Sequence, residues 1–95
     1  EKAIEKVKEE GKIIITKEFE NFLSPRKSRS NYIRTVRYLA KGFNTWGLLK
    51  HHFQKSGIKL SDSQMNLYLK ELMEFGFVDK ANEQYFLVDP LLSSL

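Results

Sequence analysis

The sequence predicts a mostly α-helical domain closed by a small β-hairpin. Three observations lead there. Apolar residues recur at three- and four-residue spacings through most of the chain. A glycine, or the pair Ser24-Pro25, stands where each such stretch gives out. Near the C-terminus the helical spacing yields to two brief β-like runs around a polar turn.

Residues 1–23 open with a helical pattern in which Ile4 and Val7 share a face opposite a mixed row of Lys and Glu. Gly11 weakens a continuous helix there by about 1 kcal/mol relative to alanine, and Ile13-Ile14-Ile15-Thr16 has the β-branching of a short strand. Val7, Gly11, Ile14/Ile15, Phe19 and Phe22/Leu23 nevertheless continue one stripe, so a helix is expected throughout. Ser24-Pro25 ends it, because proline disfavours helical backbone in the residue before it. The polar, basic stretch SPRKSRSN reads as a loop, in which Ser28 or Ser30 can cap the next helix. Tyr32, Ile33, Val36, Leu39 and Ala40 place an amphipathic helix over 30–41, closed by Lys41-Gly42.

Asn44 or Thr45 then caps a short helix carrying Trp46, Leu48, Leu49, His52 and Phe53, which stops at Ser56-Gly57. Ser61 caps a longer helix through Phe75, with Met65, Tyr68, Leu69, Leu72 and Met73 on one face, and Gly76 ends it. Phe77-Val78 and Tyr85-Phe86-Leu87-Val88 are the β-like runs, with 79–84 as the turn between them. Asp89-Pro90 breaks the second run, and Leu91, Leu92 and Leu95 are apolar enough to dock as a closing turn. That order describes a winged helix-turn-helix preceded by an N-terminal helical extension. The expected division is 1–24 for the extension, the end of a preceding helical subdomain, and 25–95 for the winged helix.

With 95 residues and 41% hydrophobic content, the chain can support one small core. It has no cysteine, which excludes disulfides and thiolate–zinc sites and suits a reducing, cytoplasmic setting. No apolar stretch approaches the roughly 20 residues a membrane span requires, and no signal-peptide pattern is present. The first residue is Glu1 rather than Met, as in an excised piece, so one domain of a larger protein is expected.

The net charge of +4 is unevenly spread. Residues 1–20 carry five lysines and six glutamates, for −1. Residues 21–61 carry nine Lys or Arg and no acid, for +9, and residues 62–95 carry two lysines against six acids, for −4. A basic middle suggests a polyanion or an acidic protein surface as partner, and a solvated surface balanced across the fold is the alternative.

Catalytic signatures are missing: there is no GxxxxGK[ST], GxGxxG or GxSxG. His51 and His52 are adjacent, so on a helix their side chains diverge by about 100° and cannot chelate together. One is expected half-buried with Phe53 and the other in solvent. Glu71 and Glu74 share a face without a third polar group, and a solvated helix edge is the simpler reading. The chain by itself is expected not to be an enzyme.

Two surfaces could bind. In a winged helix the second helix of the pair, here 61–75, enters the major groove. Ser61, Ser63, Gln64, Asn66, Leu67 and Lys70 would face it, with Gln64 and Asn66 able to pair with adenine and Ser63 to reach a phosphate. Lys80 at the wing tip could touch backbone phosphate. Asp62, Glu71, Glu74, Asp79 and Glu83 outnumber the cations there, which opposes phosphate binding. The second surface holds Arg26, Lys27, Arg29, Arg34, Arg37 and Lys41, continued by Lys50, Lys55 and Lys59. Arg34, Arg37 and Lys41 form a stripe opposite Ile33, Val36 and Ala40, suited to phosphates, to docking on an acidic surface, or simply to solvation. Trp46, beside Gly47, is expected to anchor the core.

The segments KEFENFL, YIRTVRYLAKGFNTWGLLKHHF, LYLKELMEFGFVDK and YFLVDPLL together resemble the C-terminal winged-helix domain of the archaeal P-loop, AAA/STAND-like ATPase family. The matching elements are Arg37-Tyr38-Leu39, Gly42, Thr45-Trp46 and the run from Tyr85 to Asp89-Pro90. The resemblance covers about four-fifths of the chain, from Phe19 to Leu95. It implies an ATPase core upstream in a parent protein, so ATP and magnesium are implied for the parent only and no cofactor for this fragment. It further implies a non-catalytic accessory role, engaging nucleic acid such as double-stranded DNA or docking on partner domains; the lack of a long apolar stretch separately leads us to expect no membrane partner. A free-standing winged-helix transcriptional regulator is the alternative.

Overall fold

The computed structural model describes residues 14–94. Residues 14–23 are helical and are labelled α1; α2 is Arg29–Ala40, α3 Trp46–Lys55 and α4 Asp62–Glu74. Strands β1 (Val78–Ala81) and β2 (Gln84–Leu87) form an antiparallel hairpin, and a 3-10 turn at Pro90–Ser94 closes the chain. The fold is a winged helix-turn-helix, mostly helical, as the sequence predicts. Of the stretch that could have been strand, residues 14–16 are helical, while Ile4, Val7, Gly11 and Leu95 lie outside the described residues.

Caps set the boundaries. Thr45 opens α3 by accepting the Leu48 amide at 3.2 Å. Ser61 opens α4 with a complete capping box: its hydroxyl accepts the Gln64 amide at 3.1 Å, and Gln64 Oε1 accepts the Ser61 amide at 3.0 Å. Ser28 rather than Ser30 precedes α2, though without a side-chain bond.

The hairpin is tighter than the sequence suggests. Its strands pair from Val78↔Leu87 to Ala81↔Gln84, leaving only Asn82 and Glu83 to turn the chain. Both have positive φ, 52° and 64°, the geometry of a two-residue primed turn. Twist-matched primed turns need so few residues that polar Asp79, Lys80, Ala81 and Gln84 can join the ladder. Phe77 and Val88 fall outside it, although the Val88 amide still donates to the Phe77 carbonyl at 3.1 Å.

Every element contributes to one core. Val36 from α2, Leu49 and Phe53 from α3, and Met65 and Leu72 from α4 are completely buried, and Leu92 from the closing turn nearly so. The α1 face joins them: Phe19, Phe22 and Leu23 are buried, Phe19 meets Phe77 edge-on at 5.1 Å, and Phe22 meets Tyr32 at 5.3 Å. Ala40, expected on the buried stripe of α2, is exposed, because that stripe is carried by Tyr32, Thr35, Val36 and Leu39. β2 is tied back to the helices where the Tyr85 amide donates to the Asn44 carbonyl at 2.7 Å.

Candidate nucleic-acid interface

The groove-reading face of such a fold is built on α4, whose capping box fixes its start and whose Met65–Tyr68–Leu69–Leu72 face anchors it. Ser63, Asn66, Leu67 and Lys70 consequently point outward. Two of the expected base readers are engaged inside the protein. Gln64 Oε1 is held by the capping box. Asn66 Oδ1 accepts the indole N–H of Trp46 at 2.8 Å. A bidentate contact to adenine uses the amide oxygen as well as the amide nitrogen, so either residue would have to break its bond to read a base. Trp46 itself is half-buried, with the Lys50 ammonium 5.3 Å from its ring.

Four of the six acids in this half of the chain have a cationic partner, two of them from outside it. Asp62 binds Lys50 at 2.5 Å, Glu71 binds Arg26 at 2.6 Å, Glu74 lies 3.9 Å from Lys70, and Glu83 lies 3.7 Å from Lys80. Asp79, in β1, accepts the backbone amide of Lys80, and Asp89, before the closing turn, accepts that of Leu91. Lys80 sits in β1 opposite Tyr85, its ammonium 5.2 Å from that ring, rather than at the wing tip.

Arg26 is not part of an open basic stripe. Its guanidinium lies 3.7 Å from the centre of the Phe22 ring and 4.9 Å from that of Phe75, and it donates to Glu71 and to the Phe22 carbonyl. Glu71 is correspondingly no solvated edge: Tyr32 also donates to it at 2.6 Å. These bonds from Tyr32 and Arg26 hold the Glu71 carboxyl below its ordinary value. Burial, then the neighbouring carboxylate, pushes the Tyr32 hydroxyl up to about 12. No short-range pattern could have revealed this cluster, since Arg26 and Glu71 are 45 residues apart.

The remaining cations are available. Among the described residues, Lys27, Arg29, Arg34, Arg37, Lys41, Lys55 and Lys59 are exposed and have no carboxylate partner. Lys27 joins the α4 face directly, sharing a surface hollow with Leu67 and Tyr68. Lys41 and Lys55 converge with the two histidines at the far ends of α2 and α3. There His52 stacks on Phe43 at 3.6 Å and approaches Tyr38, while His51 is exposed. His52 is thus half-buried against Phe43 rather than against Phe53. Desolvation, then the charges of His51, Lys55 and Lys41, hold its imidazole below the ordinary value.

Among the described residues, no helix is long and apolar enough to cross a membrane. Over nearly its whole length, 97%, the chain superposes on the Walker-type ATPase paby2304 of Pyrococcus abyssi with a TM-score of 0.79 and 25% identity. It spans only 25% of that protein's length. No curated protein sequence matches it. Residues 26–88 match the family model described as the MCM protein C-terminal winged helix-turn-helix domain. The resemblance to a winged-helix domain of an archaeal ATPase is borne out by both findings. The chain belongs to the family of MCM protein C-terminal winged helix-turn-helix domains.

Proposed function

We propose that this chain is the non-catalytic winged-helix module of a larger archaeal ATPase of the AAA/STAND-like kind, holding duplex nucleic acid by its phosphates without reading its bases. One observation carries this reading: the amides able to read bases are bonded within the protein, whereas the cations able to neutralise phosphates have no partner. Ion pairing along α4 and the wing supports it, because the acids there no longer present a bare negative face. ATP and magnesium are assigned to the parent's own core, with which the module works in the cytoplasm. A free-standing sequence-reading regulator would call for free amides at the start of α4, which Gln64 and Asn66 do not supply.

Fluorescence anisotropy on a labelled duplex, from about 50 to 200 mM salt, tests the proposal. Affinity should fall steeply with salt. Arg34→Ala with Lys41→Ala should weaken binding and flatten the log–log salt slope by about 2. Affinity indifferent both to salt and to these substitutions contradicts phosphate binding.

A further inference from the structure

Among the described residues, the seam between α1 and α2 is open along its outer edge. Two hollows of about 160 and 560 Å³ run along it, sharing Glu20 and Leu23 from α1 and Ile33 from α2. Arg37 borders one hollow and Arg29 the other. Arg29, Ile33 and Arg37 fall at i, i+4 and i+8, so they lie along one edge of α2 over about 12 Å. Ile33 is half-buried, and Leu23 beneath it is buried. Neither arginine has a carboxylate within ion-pair distance among the described residues, and Glu20 across the groove is exposed and pairs with neither. The result is an apolar strip with a guanidinium at each end.

We infer that this groove docks an acidic amphipathic helix of a neighbouring protein domain. Its carboxylates, two turns apart, meet Arg29 and Arg37, and an apolar side chain between them covers Leu23 and Ile33. Each guanidinium offers a planar fork that a carboxylate fills with two charge-assisted bonds. The apolar strip gains from being covered by hydrocarbon, as in other helix-in-groove contacts. A nucleic-acid backbone would satisfy the arginines but would set phosphates and sugars against Ile33, which is why a protein helix is the better occupant. The inference rests on the accessory-module reading only for the identity of the neighbour.

The test uses two labelled helical peptides of identical composition. One has glutamates eight residues apart with leucine midway, and the other has the same residues scrambled. The patterned peptide should bind about tenfold more tightly than the scrambled one, and Arg29→Glu should remove about that factor. Ile33→Ser should weaken the peptide similarly while changing duplex DNA affinity by no more than about twofold. Arg29 is exposed in the first turn of α2, where a carboxylate favours the helix, so Arg29→Glu stays informative even should Ile33→Ser fail to fold. Equal binding of both peptides, no binding of the patterned one, or an Arg29→Glu variant that binds it normally overturns the inference. So does parallel loss of peptide and DNA binding in a folded Ile33→Ser variant, which would assign the face to nucleic acid. Absence of DNA binding by the unsubstituted chain would instead count against phosphate holding alone.

Discussion

At the scale of single residues, the junction of α1, α2 and α4 rests on the Arg26–Glu71–Tyr32 cluster. Its three side chains come from the loop before α2, from α4 and from α2, so they clamp elements that the chain order keeps apart. The pH dependence follows from the two shifts. Glu71 is held below its ordinary 4.5, so its contribution is present above that pH and is lost as the pH falls through the lower folded value. Tyr32 is raised from 10.0 to about 12, so its contribution is complete below pH 10 and is lost as the pH rises toward 12. Ultraviolet titration should therefore show a tyrosine step delayed toward pH 12, and stability should decline over that same alkaline window. Tyr32→Phe should abolish the late step. A late step that survives the substitution would assign the shift to another tyrosine.

At the scale of elements, the helices and their caps were the most legible part of the sequence. Thr45 and Ser61 cap as their side-chain chemistry requires, and the 3-1-3 spacing of Met65, Tyr68, Leu69 and Leu72 does mark the buried face of α4. Leu72 is fully buried, so Leu72→Ala should cost about 2–5 kcal/mol in chemical denaturation, and a loss below about 1 kcal/mol would contradict its packing. The wing was less legible, because turn length depends on backbone twist that polar composition does not encode. Glu83 holds φ at 64°, a conformation costly for a side-chain-bearing residue. Glu83→Gly should raise stability by about 0.5–1 kcal/mol, since the exposed Lys80–Glu83 pair that it removes contributes little. An unchanged or lowered denaturation midpoint would show that the turn carries no such strain.

At the scale of the whole molecule, charge is where sequence and structure part most. The block counts are correct, +9 over 21–61 and −4 over 62–95, but they treat charges as if each segment stood alone. Folding brings Arg26 and Lys50 out of the basic block onto Glu71 and Asp62 of the acidic one. It also bonds Asn66 to Trp46, 20 residues away, which removes a base reader that sequence alone offers. Such pairings depend on which surfaces meet, and a single chain carries no local sign of that. What remains, among the described residues, is a band of unpartnered cations along the 24–28 loop, α2 and the end of α3, beside an α4 whose exposed Gln64 and Asn66 amides are bonded within the protein. The most direct test is to compare two duplexes of unrelated sequence under identical salt, with the unsubstituted chain and with Asn66→Ala. Equal affinities for both duplexes, unchanged by Asn66→Ala, are the expected result. A preference for one duplex by about 1–3 kcal/mol, lost in Asn66→Ala, would show that α4 reads bases and would contradict the accessory-module reading.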